Sequence, residues 1–162
     1  MGTWNRLVGM GDCYLEAIAI DPAAQAPAHA RWFDLDRRSG PAALTHWAVQ
    51  VEDIEAACAA RPAAGRILDF ARDALRWRMA VPEDGRLPFD GLFPALIQWD
   101  TAAPAFPDSG LRLTRLQLTH PDGDALRDAI DALIGDDRIE VRRGPVGMAA
   151  EIEGPDGRRR LA

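Results

Sequence analysis

The feature that most constrains this chain is a change of period that occurs twice. Residues 44–60, LTHWAVQVEDIEAACAA, alternate through Val51 and then place Ile54, Ala57 and Cys58 at helical spacing. Residues 112–135, RLTRLQLTHPDGDALRDAIDALIG, alternate through His120 and then set Leu126, Ile130 and Leu133 on one helical face. A period of two marks a half-buried strand, and a period of 3.6 marks an amphipathic helix. Each switch therefore predicts a strand that feeds directly into a helix. Pro62 and Gly65 stop the first helix, and Gly135 ends the second.

Further strands follow each helix. Ile67–Phe70, Ala74–Val81 and Phe93–Trp99 read as strands after the first, with the excursion PEDGRLPFDGLFP before the last of them. Arg138–Arg143, Ala149–Ile152 and Arg158–Leu161 follow the second, with Pro155-Asp156-Gly157 as a turn. The result is two tandem strand–helix–three-strand units, 42–101 and 110–162. Laying Leu44 on Leu113 brings Thr45 onto Thr114 and His46 onto Arg115. Residues 3–20 alternate around Gly11-Asp12 and predict a hairpin. Segment 1–22 then reads as the remnant of another unit whose own lead strand and helix are missing. Such a remnant leaves apolar surface uncovered, including some of Leu7, Gly9, Leu15, Ala17 and Ala19. The reading therefore predicts a homodimer with the hairpin at or near its interface.

Composition narrows the partners. The 162 residues are 48% hydrophobic, enough for one domain with its own core. All 19 basic residues are arginine, yet the net charge is −6. That balance argues against nucleic acid, which calls for a basic face. Cys13 and Cys58 have no metal-ligand spacing and are too few for a disulfide scaffold. No apolar run is long enough to span a bilayer and no leader pattern is visible, so the expected setting is cytoplasmic.

Alternation also groups the candidate site residues. In the first lead strand Leu44, His46, Ala48 and Gln50 share the face opposite Trp47, Val49 and Val51. In the second, Leu113, Arg115, Gln117 and Thr119 lie opposite Leu116 and Leu118. Both polar sets face away from the helices; a solvated face and a polar cavity fit equally well. Glu16 sits in an apolar strand between Leu15 and Ala17, so its carboxylate must meet a cation, a metal or a hydrogen-bond donor. Arg76 and Arg78 share the face opposite Leu75, Trp77 and Met79. On a cavity wall their guanidinium forks would hold an anionic substrate; on an outer face they would be solvated.

The stretches MGTWNRLVGMGDCYLEAIAIDP, LTHWAVQVEDIEAA, LRWRMAVPEDGRLPFDGLFPALIQW and DSGLRLTRLQLTHPD resemble the glyoxalase-like domain of the vicinal oxygen chelate superfamily. The resemblance implies an α+β fold: tandem βαβββ modules forming a curved mixed sheet around a cavity, with helices on the outer face. It implies a metal-dependent lyase or dioxygenase-type enzyme acting on a small oxygenated metabolite, or else a metal-free small-molecule binding protein of the same fold. In metal-dependent members a divalent ion (zinc, nickel, iron or manganese) is held by histidine and glutamate. Carried over by position, those ligands match His46 and Glu16, which are also the implied catalytic pair. The remaining acidic ligand position matches Gln98. With Arg76, Arg78 and Arg115, Gln98 completes the substrate-binding set expected around one cavity.

Overall fold

The second period-two stretch folds as a strand along its whole length, the first only over Ala48–Gln50. The structure is a computed structural model and describes residues 1–162. Its elements are the hairpin β1 (Thr3–Gly9) and β2 (Tyr14–Ile20), then β3 (Ala48–Gln50), α1 (Ile54–Ala60), β4 (Arg66–Arg72), β5 (Leu75–Val81) and β6 (Ala95–Trp99). The second unit contributes β7 (Arg112–His120), α2 (Gly123–Asp131), β8 (Ile139–Arg143), β9 (Gly147–Gly154) and β10 (Gly157–Leu161). Short 3-10 turns lie at Trp32–Asp34, Pro62–Ala64 and Phe89–Gly91. The fold is α+β, with no closed barrel.

The element order repeats between the two units, but the pairing does not. In the first, the sheet runs β3-β6-β5-β4, so the lead strand lies parallel beside the last strand and at the edge. In the second it runs β10-β9-β7-β8, which puts the lead strand inside, parallel to β8 and antiparallel to β9. The lead strands themselves differ. β7 is nine residues long and supports a neighbour on each edge. β3 is only three residues long; its ladder ends where the Trp47 carbonyl accepts the Ala95 N–H at 3.0 Å. Trp47 Nε1–H donates to the Leu92 carbonyl at 2.7 Å, and its ring packs on the core around Leu116, Leu126 and Ile130.

Each large sheet packs one face on a helix. Ile54 of α1 meets Ala80 and Leu96, with Ile67 beside them. Leu126 and Ile130 of α2 meet Leu116, Leu118 and Val141. Ala129 and Leu133 also reach the α1 cluster, so α2 joins the two units. The other face of β3-β6-β5-β4 is covered by the turn at Trp32 and by the hairpin. Trp32 and Leu35 pack there on Met79, Val81 and Ala95, and Ile18 joins them.

The hairpin forms a two-stranded sheet of its own. Side chains hold it in place. Arg138 grips Asp12 at the hairpin tip with both terminal nitrogens, at 2.9 and 2.8 Å, while also binding Asp136. Arg72 donates to Asn5 Oδ1 at 2.9 Å, and Ser109 donates to the Gly9 carbonyl. Gly9 lies so close to the 104–107 segment that a Cβ there would stand 2.6 Å from the Phe106 Cβ. The hairpin register pairs Leu7 with Glu16, Val8 with Leu15 and Gly9 with Tyr14. Leu7 and Gly9 therefore face inward with Glu16, whereas Leu15, Ala17 and Ala19 face outward with Trp4. Of the five residues expected to contribute to an uncovered face, the register leaves Leu15, Ala17 and Ala19 on the outward side and turns Leu7 and Gly9 inward.

An Arg138→Ala variant is expected to lose about 1 kcal/mol or less, because Asp12 is largely exposed. Hydrogen exchange checks the geometry: amides of 3–20 should exchange faster, while those of the β7–β9 ladder stay unchanged.

Candidate functional site

Two neighbouring cavities share one wall. The inner cavity, about 230 Å³, lies between the hairpin and the β3-β6-β5-β4 sheet. β5 supplies Leu75, Trp77 and Met79, and β6 supplies Ile97 and Trp99; these alternate residues point the same way because strand side chains repeat every second position. Asn5, Leu7, Tyr14 and Glu16 come from the hairpin, and Phe106 closes one side. The rings pair: Trp77 lies 5.4 Å from Trp99 and Tyr14 lies 5.1 Å from Phe106, both tilted. Glu16 Oε1 accepts a hydrogen bond of 2.6 Å from Asn5 Nδ2. Arg72, by taking Asn5 Oδ1, turns the Asn5 amide so that its NH₂ meets the carboxylate. Burial, and then the Glu16 charge, push the Tyr14 hydroxyl above its ordinary value. Trp32 also lines this cavity, and its buried Nε1–H has no hydrogen-bond partner.

The outer cleft is larger, about 720 Å³, and polar. His46 lines it with Asp34, Arg38, Arg86 and Asp90. Phe33 lines both spaces, and its ring lies 5.5 Å from the imidazole. His46 Nδ1 lies 3.0 Å from Thr45 Oγ1. A Cβ on Gly91 would stand 3.0 Å from Nε2, so the chain passes close to that nitrogen. Burial holds the His46 pKa below its ordinary 6.5, with Arg38 acting the same way and Asp34 opposing. Backbone strain gathers beside it: Phe33, Asp34, Phe89 and Asp90 all have φ between 51° and 59°. That region is uncommon for residues other than glycine and costs about 1–3 kcal/mol each. Asp90 also accepts from His120 Nε2 at 3.2 Å, while His120 Nδ1 accepts the Asp122 N–H at 3.0 Å.

The structure does not bring the carried-over residues together. Glu16 lines the inner cavity and His46 the outer cleft. Gln98 lies on the helix side of β6, where its Oε1 accepts the Ile54 N–H at 2.8 Å and caps the first turn of α1. Arg78 stands opposite Gln98 in the ladder and binds Glu55 and Asp100, at 3.2 Å to Asp100. Arg76, exposed on the same face, donates to the Asp73 and Leu75 carbonyls. Arg115 sits in an exposed charge lattice, 2.9 Å from Glu140 and 3.4 Å from Glu151. None of these four, expected around the cavity, lines either space. On β5 the arginines share the helix side, Arg76 exposed and Arg78 half-buried in its ion pairs, so the apolar face of the strand is the cavity wall.

The divalent metal implied by the resemblance can be tested on these positions. A metal centre takes about three protein ligands around one point. Glu16 and His46 open into separate cavities, Gln98 is engaged at a helix end, and no group of three His, Cys, Asp or Glu side chains assembles. This donor set does not fit a divalent centre.

Comparison with known proteins decides the family. The chain matches the family described as "Glyoxalase-like domain" over residues 1–134. It belongs to the glyoxalase-like family. The match takes in the hairpin, the whole β3–β6 unit and β7 with α2, and places the chain in the vicinal oxygen chelate superfamily. No match was found among curated proteins or among solved structures. No helix is long and apolar enough to cross a membrane.

Sequence reasoning missed most of the inner cavity of this glyoxalase-like domain. Asn5, Tyr14, Trp77 and Trp99 all line it. Two signals were present. The turn at Gly11-Asp12 fixes a register that sets Asn5 diagonal to Glu16, within reach on one face. The aromatic half of LRWRMAV was the half that needed cover.

The depressed His46 pKa has a pH consequence. An imidazole with a lower pKa folded than unfolded binds its proton more readily in the unfolded chain. Its contribution is fully present above the unfolded value, near 6.5, and is lost as pH falls through the folded value. Each unit of displacement is worth about 1.4 kcal/mol. Urea midpoints should therefore fall between pH 7.5 and 5 in the wild type and fall less in His46→Gln. Parallel curves would show that the imidazole titrates alike in both states.

Proposed function

We propose that this glyoxalase-like domain binds a small molecule in the inner cavity, with Glu16 as its main polar contact. The observation that carries this reading is a mostly apolar, ring-walled space of about 230 Å³ whose charged lining is one carboxylate, Glu16, and one guanidinium, Arg72, joined through the Asn5 amide. Ligand sites have this character: apolar walls with few, well-placed polar groups. The unpartnered Trp32 Nε1–H adds a second reason, since a buried donor left unpaired costs about 1–3 kcal/mol. Among the activities found in the superfamily, this arrangement favours binding over metal-assisted chemistry, because the ligand positions of a metal-dependent member do not converge.

Trp77 and Trp99 report on the space directly. Indole, phenol and benzyl alcohol should quench tryptophan emission in a saturable way. Ala48→Phe, which fills the cavity from β3, should abolish that response while moving the thermal midpoint by only a few degrees. Quenching that persists in the filled variant would place the probes elsewhere and sink the reading.

One observation favours a second reading, acid–base catalysis in the outer cleft. A neutral imidazole stands between two segments of strained backbone, and strain of this kind clusters at functional sites. In that case His46 Nε2 is the base, and His46→Gln abolishes turnover of a substrate whose binding Ala48→Phe leaves intact.

Self-association belongs to the same proposal. Trp4 is 49% exposed on the outward face of a hairpin whose strands pair only with each other. A homodimer through that face would cover it. Light scattering at micromolar concentration should give twice the chain mass, and Trp4→Ser should halve it; a monomeric wild type would refute the interface.

A further inference from the structure

We propose that the ligand of the inner cavity is an organic cation, of the class of alkylated or aromatic ammonium compounds. This inference rests on the binding reading above and names the chemistry it would select.

Three observations carry it. The first is the ring content of the wall. Trp77, Trp99, Tyr14, Phe106, Trp32 and Phe33 all border the cavity. Aromatic faces carry negative quadrupole charge, and a cation within about 6 Å of a ring centroid gains about 0.5–2 kcal/mol from each good contact. The tilted pairs Trp77–Trp99 and Tyr14–Phe106 come from opposite sides of the space, one from the sheet and one from the hairpin and the 104–107 segment.

The second observation is the state of Glu16. It makes no ion pair. Its partner is the neutral amide of Asn5 at 2.6 Å; Arg72 also lines the space, but it is solvent-exposed and engaged on the far oxygen of that amide rather than on the carboxylate. A carboxylate facing an aromatic space without a counter-ion is poorly compensated, and a ligand carrying positive charge supplies what is missing. An anionic ligand would meet the half-buried Glu16 as a like charge, with only the exposed and already engaged Arg72 to offset it.

The third is the balance of charge in the whole chain. The net charge of −6 favours the approach of cations and disfavours that of anions. Size then selects within the class: a space of about 230 Å³ takes one quaternary or benzylic ammonium and excludes a long polyamine folded on itself.

The experiment compares three probes of similar size on the full chain: benzyltrimethylammonium, benzyl alcohol and phenylacetate. Calorimetry and tryptophan quenching give their affinities. Benzyltrimethylammonium should bind at least tenfold tighter than either of the others. Glu16→Gln, which keeps the size of the side chain, should weaken benzyltrimethylammonium at least tenfold and so remove its preference over benzyl alcohol. Wild-type affinities alone suffice if the variant folds poorly. Equal affinity for all three probes would overturn the cation assignment and leave the binding reading standing. Tighter phenylacetate would reverse the assignment. No saturable binding by any probe would overturn both.

Discussion

The hairpin shares no backbone ladder with either large sheet, and everything at the inner cavity depends on how it is held. Three side-chain contacts fasten it: the Arg138 fork on Asp12, Arg72 on Asn5, and Ser109 on the Gly9 carbonyl. The tight approach of Gly9 to Phe106 adds a fourth constraint. Because Arg72 fixes the Asn5 amide and Asn5 holds Glu16, one of these fastenings is also part of the site. The roof and its chemistry are one piece of structure.

Much of the fold was legible because period and punctuation are local. The hairpin turned at Gly11-Asp12, β7 spans the residues that alternation marked, and the turn at Pro155-Asp156-Gly157 separates β9 from β10. Strand order was not local. Which strands neighbour a lead strand is set by contacts distant in sequence, such as the Trp47 indole on the Leu92 carbonyl at the end of β3. The face of β5 failed for a related reason. Alternation states which residues stand together, and it separated Arg76 and Arg78 from Trp77 correctly. It does not state which set is covered. That depended on the 3-10 turn at Trp32 taking the apolar side.

Glu16 illustrates the same limit at the site. Its sequence neighbours implied that the carboxylate needs a partner, and the partner proved to be an amide on the adjacent strand. His46 was singled out by position in a lead strand, yet it lies outside β3, beside strained backbone in a different cavity. The glyoxalase-like framework is therefore present while its ligand positions point apart. Gln98 shows the physical route: a side chain that caps a helix is no longer free to face the interior.

Phe33 has a consequence that reaches beyond either cavity. One residue, held at φ 59°, is a wall common to the ring-lined cavity and the polar cleft. A common wall cannot be displaced toward one space without enlarging the other. Any occupant that shifts this ring changes the free energy of filling both spaces, and thermodynamic reciprocity makes the influence equal in the two directions.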